Sequence, residues 1–171
     1  MTIPATVFDL SPADKGCVAV QDILLADSTL KEWHKLRVYR VDFISDEVMR
    51  KFPPPAIFVN LQAEEHEPKP GRCVTLRYTV AVTIVRAQPD VKLDPKDPAL
   101  SSVVTVAKVA LWTNPNLQVA RYSNVSLAET ATFQALDYQG ADEIDKTLML
   151  SHSFLIDYSL SGLPVETLEP A

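Results

Sequence analysis

Residues 72–87 constrain the fold more than any other part of the chain, because their apolar side chains recur at every second position. One register is apolar and consists of Val74, Leu76, Tyr78, Val80, Val82 and Ile84. The other register is mainly polar and contains Thr75, Arg77, Thr79 and Thr83. This period of two predicts a long strand that is buried on one face and meets solvent or a partner on the other.

A second segment near the end of the chain, residues 146–160, repeats this pattern. Its alternating residues are Leu148, Leu150, His152, Phe154, Ile156, Tyr158 and Leu160. Two strands of matched length and matched apolar register are expected to be neighbours in one antiparallel sheet. Val80 is then predicted to lie at the centre of the buried face.

Helix start signals precede the first predicted strands. Ser11 is a predicted N-cap, Pro12 suits the first helical position, and Asp14 places a negative charge near the positive end of the helix dipole. This helix is predicted to end near residue 26. A second start signal at Asp27 predicts a break and a short second helix.

The remaining elements are predicted from period, prolines and caps. They are an edge strand at 37–43, a helical turn at 46–52, a strand at 56–64, a helix between Asp97 and Asn114, strands at 117–126 and 129–139, and an acidic turn at 140–145. Two charged, proline-containing segments connect them, a hairpin tip at 64–71 and a long surface loop at 88–98.

The fold class follows from these elements and from a chain of 171 residues that is 47% hydrophobic. We predict one α+β domain over residues 1–162, with a mostly antiparallel sheet covered by an N-terminal helix pair and a central helix. Residues 163–171 are acidic, contain proline and are predicted to form a flexible tail.

The charge balance bears on the class of partner. The formal net charge is -6, and residues 86–171 carry six basic against eleven acidic residues. Specific nucleic-acid binding draws on clustered Lys and Arg, so we do not expect it. The two cysteines, Cys17 and Cys73, are far apart and indicate a reducing compartment. Neither a signal peptide nor a membrane span is recognisable, which predicts a soluble, cytoplasmic protein.

Candidate catalytic and metal-binding groups are scattered. The histidines, His34, His66 and His152, show no metal-ligand spacing, and no phosphate-binding loop occurs. Ser151 and Ser153 adjoin His152, but neighbours along a strand point to opposite faces and cannot form a nucleophile–base pair. We therefore predict no catalytic residue, no metal and no cofactor.

Two charged segments are the predicted contact sites for partner proteins. The first contains Glu64, Glu65, Glu67 and Lys69, and the second contains Asp90, Lys92, Asp94 and Lys96. They flank the two ends of the strand at 72–87, so they should emerge at opposite ends of the sheet, roughly 50 Å apart.

The order of elements resembles a known family. A helix pair is followed by the strand RVYRVDF, the proline-led strand PPPAIFVNLQAEE, the strand RCVTLRYTVAVTIVRA, a loop and the helix SSVVTVAKVALWTNPNL. This order, together with the phrase LLADSTLKEWHKLRVYRV, is similar to the tail terminator or tail completion proteins of long-tailed bacteriophages. The chain departs from that pattern in lacking a glycine-rich turn before RVY and in carrying the loop at 88–98.

The resemblance implies a small α+β protein of the virion, located in the tail or neck and assembled in the host bacterial cytoplasm. Such a protein forms a ring, commonly a homohexamer, that caps the tail tube and presents a docking surface to the head–tail connector. The implied partners are further copies of the chain, the tail tube protein and the connector protein, and no membrane. The resemblance implies no enzymatic activity.

Two other classes of function remain open from the sequence. The sheet and helices could enclose an apolar pocket, in which case the chain is a small-molecule-binding protein or an enzyme, and a deep cavity with convergent polar groups would identify it. Alternatively, the chain is a monomeric adaptor, which its mass in solution would reveal.

Overall fold

The computed structural model describes residues 10–33, 37–88 and 99–165. Within them, four helices and six strands form one mixed sheet with a helical layer. The helices are α1 Pro12–Ala26, α2 Ser28–Glu32, α3 Asp46–Lys51 and α4 Leu100–Trp112. The strands are β1 Arg37–Arg40, β2 Ala56–Lys69, β3 Cys73–Ala87, β4 Thr130–Phe133, β5 Tyr138–Ile144 and β6 Thr147–Pro164. The predicted α+β class is confirmed.

The three longest strands form the centre of the sheet, with β3 between β2 and β6 and antiparallel to both. β1 extends the sheet beyond β2 as a short parallel edge strand. At the other edge, β4 and β5 each pair with a different half of β6. The predicted pairing of residues 72–87 with 146–160 is confirmed, and Val80 lies opposite Ile156.

The apolar register of β3 packs against α1 and α4 in the main core, where Val80 and Val82 are fully buried. The contact with α1 is close, because a Cβ on Gly16 would lie 2.3 Å from the hydroxyl oxygen of Tyr78. That hydroxyl donates a hydrogen bond of 2.6 Å to the carbonyl of Leu127. Tyr78 thus joins α1, the central strand and the segment before β4.

The predicted helix signals of the N-terminal pair are confirmed. Ser11 accepts a hydrogen bond from the backbone N–H of Asp14, and Asp27 accepts one from Leu30 at the start of α2. These caps satisfy backbone donors that have no partner inside the helix. The helix α4 is also confirmed, although its predicted cap at Asp97 lies outside the described residues.

A smaller apolar cluster lies on the sheet face opposite α1 and α4. Phe58 and Val85 are buried there under α3 and pack with Tyr39 and Phe52. Ser45 caps α3 by accepting a hydrogen bond from the N–H of Val48. The helical turn predicted at 46–52 is therefore confirmed, and it covers one end of a face that is otherwise without helices in the described structure.

The strand predicted at 117–126 is wrong. Leu117, Ser123 and Asn124 have φ angles of 51°, 56° and 56°, which an extended strand does not adopt. Residues 120–122 form a short 3₁₀ turn instead. Leu117 is nevertheless fully buried, so the apolar pattern in this segment reflects an irregular connection that packs against the core.

The acidic turn predicted at 140–145 is also wrong, because most of it belongs to β5. The turn is confined to Asp145 and Lys146, whose φ angles of 51° and 67° suit a two-residue hairpin. An edge strand that is exposed on both faces tolerates charged residues as a turn does, so the acidic composition of this segment does not distinguish the two. The strand predicted at 129–139 is interrupted and contributes β4 and the start of β5.

Two strands are longer than predicted. β2 continues past Glu64 to Lys69, so most of the predicted hairpin tip is strand and only residues 70–72 form the turn. Gly71 and Arg72 have φ angles of 81° and 57° in that turn. At the other end of the chain, β6 reaches Pro164, two residues into the segment predicted as a tail. Residues 166–171 lie outside the described structure.

Candidate functional site

The part of the second sheet face that α3 leaves uncovered carries a row of polar cross-strand pairs, and we call it the open face. Thr83 and Ser153 share a hydrogen bond of 2.7 Å, and Thr79 donates one of 2.6 Å to Asp157. Thr130 and Ser159 continue the row at the β4 edge. These pairs tie β3, β4 and β6 together; Thr83 is buried within the row, whereas Thr130 at the β4 edge is exposed.

The far end of β2 carries ion pairs on this same face. The Glu67 carboxylate accepts from Lys69 at 2.7 Å and lies 3.2 Å from the Arg77 guanidinium on β3. The hydrogen bond from Lys69 and the nearby positive charges lower the pKa of Glu67. The hairpin end is therefore a strand surface with a defined charge arrangement.

The predicted contact residues of the hairpin do not share one face. Glu65 lies opposite Arg77 and so faces the open side with Glu67 and Lys69, whereas Glu64 lies opposite the buried Tyr78 and faces the other side. There the Glu64 carboxylate pairs with His66 at 2.9 Å.

A bulge causes this division. The pairing shifts by one residue between Leu61 and Ala63, so the extra residue Gln62 reverses the side-chain alternation that the first half of β2 sets. The second predicted group, Asp90, Lys92, Asp94 and Lys96, lies outside the described residues.

Among the depressions on the described part of the open face are two with different walls. One has a volume of about 560 Å³ and lies between the hairpin end and β4, with Glu65, Arg77, Thr132 and Asp157 in its wall. The other, about 350 Å³, has Phe43 on one rim and Tyr138 on the other. The first is polar and contains side chains that hydrogen-bond to one another, whereas the second combines two exposed aromatic rings with a floor that includes Asn60, Ala81 and Leu155.

A group of three ionisable side chains joins α4 to β6. The Asp137 carboxylate lies 2.5 Å from the ammonium group of Lys108 and 2.9 Å from Nε2 of His152. Burial alone would raise the pKa of Asp137, but the hydrogen bonds from His152 and Lys108, with the charges of both groups, lower it. Asp137 is therefore held as a carboxylate, and its two contacts attach the β4–β5 connection to α4 and β6.

His152 and its two serine neighbours point to opposite faces of β6, as the alternation of side chains along a strand predicts. Its side chain is largely buried on the helix-covered side, while Ser151 and Ser153 point to the opposite face. The sequence did not reveal Asp137 as its partner, because 15 residues and a change of strand separate them. Asp137 lies in the connection between β4 and β5. The alternation of apolar residues in the sequence does not reveal that the strand is interrupted there.

Other reactive groups in the core have a packing role. The Cys17 thiol is buried beside Tyr78 and Tyr158, and burial raises its pKa to about 12. It therefore stays protonated and is a poor nucleophile. Among the described residues, no cluster of three His, Cys, Asp or Glu side chains could hold a metal ion, and no helix is long and apolar enough to cross a membrane.

Exposed apolar side chains gather beside the β4–β5 edge. Trp112 of α4 is 71% exposed and stacks on Phe133 of β4, and Leu136 and Tyr138 are exposed on either side of the pinned Asp137. This arrangement presents apolar surface on a fixed connection.

No protein-family model matches the chain, and no curated protein matches it in sequence.

Proposed function

We propose that this protein is a structural assembly protein, a tail terminator of a long-tailed bacteriophage that caps the tail tube as a homo-oligomeric ring and offers a docking surface to the head connector. The observation that carries the proposal is the two-sided sheet. One face is filled by α1 and α4, while the other exposes ordered polar pairs, charged strand ends and aromatic rims.

The open face has the properties that a docking surface requires. Its side chains are held by cross-strand hydrogen bonds, so little side-chain entropy is lost when a partner covers them. Phe43 and Tyr138 add exposed aromatic area, the kind of residue that contributes most to protein–protein binding. The resemblance in element order supports assigning the partners as the tube protein and the connector.

The hairpin end supplies a second contact region. Glu65, Glu67 and Lys69 form a charged strand surface beyond the main helical layer, and Glu64 lies on its reverse side. We propose that this end meets one partner, while residues 88–98, which follow β3 in the chain, meet another. In this proposal the protein has no catalytic turnover.

Particle assembly with purified tails and heads tests the contact assignment. We expect Glu65→Gln to lower the yield of joined particles, whereas the matched variant Glu64→Gln, on the reverse side, should have a smaller effect. Shortening residues 88–98 should leave folding intact and impair a different joining step. Parental yield from all of these variants would contradict the assignment.

A second function is favoured by one observation, the Asp137–His152 pair. His152 and Ser101 both border a depression of about 270 Å³, so an acid–base or hydrolytic site could be built there. In that case a reproducible hydrolase activity should disappear in His152→Ala and Ser101→Ala variants that remain folded. The assembly proposal predicts no such activity in the parent.

A further inference from the structure

The two outer edges of the sheet differ in charge. β1 carries Arg37 and Arg40, which are exposed and form no ion pair with the described residues. β5 carries Asp142 and Glu143, which are also exposed and also lack an ion pair within the described part of the chain. One edge strand is thus basic and the other acidic.

These edges lie at the same level of the sheet. The strand registers align one row of residues through Arg37, Ala56, Val85, Ser151 and Gly140. Asp142 is two residues farther along β5, a distance of about 7 Å that an arginine side chain can reach. Where the β1 edge of one copy meets the β5 edge of another at this level, Arg37 comes within reach of Asp142.

Apolar side chains accompany the charges in matching order. Phe43 follows β1, and Leu136 precedes β5; both are more than 60% exposed. β1 and β5 run antiparallel, so these two residues lie towards the same end of the sheet, and Arg37 and Asp142 lie towards the other. The Asp137 anchor to His152 and Lys108 holds Leu136 in place.

We infer that copies of this chain associate edge to edge, with the β1 edge (Arg37 and Phe43) of one copy against the β5 edge (Leu136 and Asp142) of the next. This inference rests on the proposed function and names the surface that builds the ring. A contact between two different edges of the subunit is heterologous, or head-to-tail. Such contacts form a closed ring when the rotation from one copy to the next closes without a translation along the axis. The contact is made by side chains, because the Val38 carbonyl at the β1 edge already accepts from Gln21 of α1.

Charge reversal tests the pairing by sedimentation velocity over a concentration series. We expect Arg37→Glu alone, or Asp142→Arg alone, to raise the concentration needed for half-assembly by at least about tenfold. The double variant Arg37→Glu with Asp142→Arg restores complementary charges and should assemble as the parent does. Mixing the two single variants should also restore assembly, because opposite charges then meet at every contact.

A matched control for Asp142→Arg is Glu32→Arg, which makes the same change in net charge at an exposed position on α2. We expect it to assemble normally, and all variants should melt as the parent does because the altered positions are exposed. Single variants that assemble at the parental concentration, or a double variant that is not restored, would overturn the edge pairing while leaving a ring built through other surfaces. A parent that never assembles would overturn the proposed function itself.

Discussion

The two faces of the central sheet are made from the same strands but hold together in different ways. On the helix-covered face, Val80, Val82 and Ile156 are fully buried, and stability there comes from removing apolar surface from water. On the open face, Thr79, Thr130 and their partners form hydrogen bonds that water can also offer, so each pair adds little net stability. The comparison teaches that one face serves folding and leaves the other available for contacts.

The largest expected difference between the faces is the cost of a buried charge. Val80→Asp places a carboxylate among apolar neighbours without a partner, and we expect a loss of about 3–5 kcal/mol in the free energy of unfolding. The variant Gln62→Asp places the same carboxylate at an exposed position of β2 and should change stability by no more than about 0.5 kcal/mol. Urea denaturation of both variants checks this. Similar midpoints would show that the faces are assigned wrongly.

Gly16→Ala tests the close approach of α1 to the sheet. Alanine normally favours a helix over glycine, but here the new Cβ would meet the Tyr78 ring and force α1 outward. We expect a loss of about 1–3 kcal/mol by chemical denaturation. The control Ser102→Ala, at an exposed position of α4, should change stability by less than about 0.5 kcal/mol. A stabilised Gly16→Ala protein would contradict this packing.

The two core tyrosines should respond differently to loss of the hydroxyl. Tyr78→Phe leaves the Leu127 carbonyl without its donor, which should cost about 1–2 kcal/mol. The Tyr158 hydroxyl is buried and has no hydrogen-bond partner in the described structure, so Tyr158→Phe should be neutral or slightly stabilising. Thermal melts of both variants give the comparison, and equal losses would contradict the hydrogen-bond assignment.

Asp137 provides a pH-dependent test at the border between the faces. Its pKa is lowered in the folded protein, so its contribution to stability is complete above the unfolded value of about 3.9 and is lost as the pH falls through the folded value. We expect Asp137→Asn to be less stable than the parent at pH 7 and the difference to shrink below about pH 4. A difference that stays constant down to pH 2 would contradict the ion-pair assignment.

The smallest effect is expected on the open face. A double-mutant cycle of Thr130→Val and Ser159→Ala, an exposed hydrogen-bonded pair, should give a coupling energy of about 0.5 kcal/mol. Such a value agrees with a pair that water competes for. A coupling above about 2 kcal/mol would instead identify the open face as a second structural core.

The sequence predicted the elements whose signal is local. Alternation over β3 and β6 identified the buried face and its centre at Val80, and the caps at Ser11 and Asp27 located both helices of the N-terminal pair. Charge, in contrast, does not distinguish a turn from an edge strand, so the predicted turn at 140–145 includes most of β5.

The candidate contact surfaces depend on features that no local pattern contains. The bulge at Gln62 decides whether Glu64 or Glu65 faces the open side, and it is visible only in the strand register. The Asp137–His152 pair and the alignment of Arg37 with Gly140 arise from strands that meet only in the folded sheet. Such relations follow from topology and not from composition.

The molar mass in solution, measured by light scattering over a concentration series with electron microscopy of the same samples, tests the assembly proposal most directly. The proposal predicts a defined multiple of the 18.9 kDa chain and ring-shaped particles with a central opening. A mass of one chain at every concentration, with no rings in the images, would contradict it.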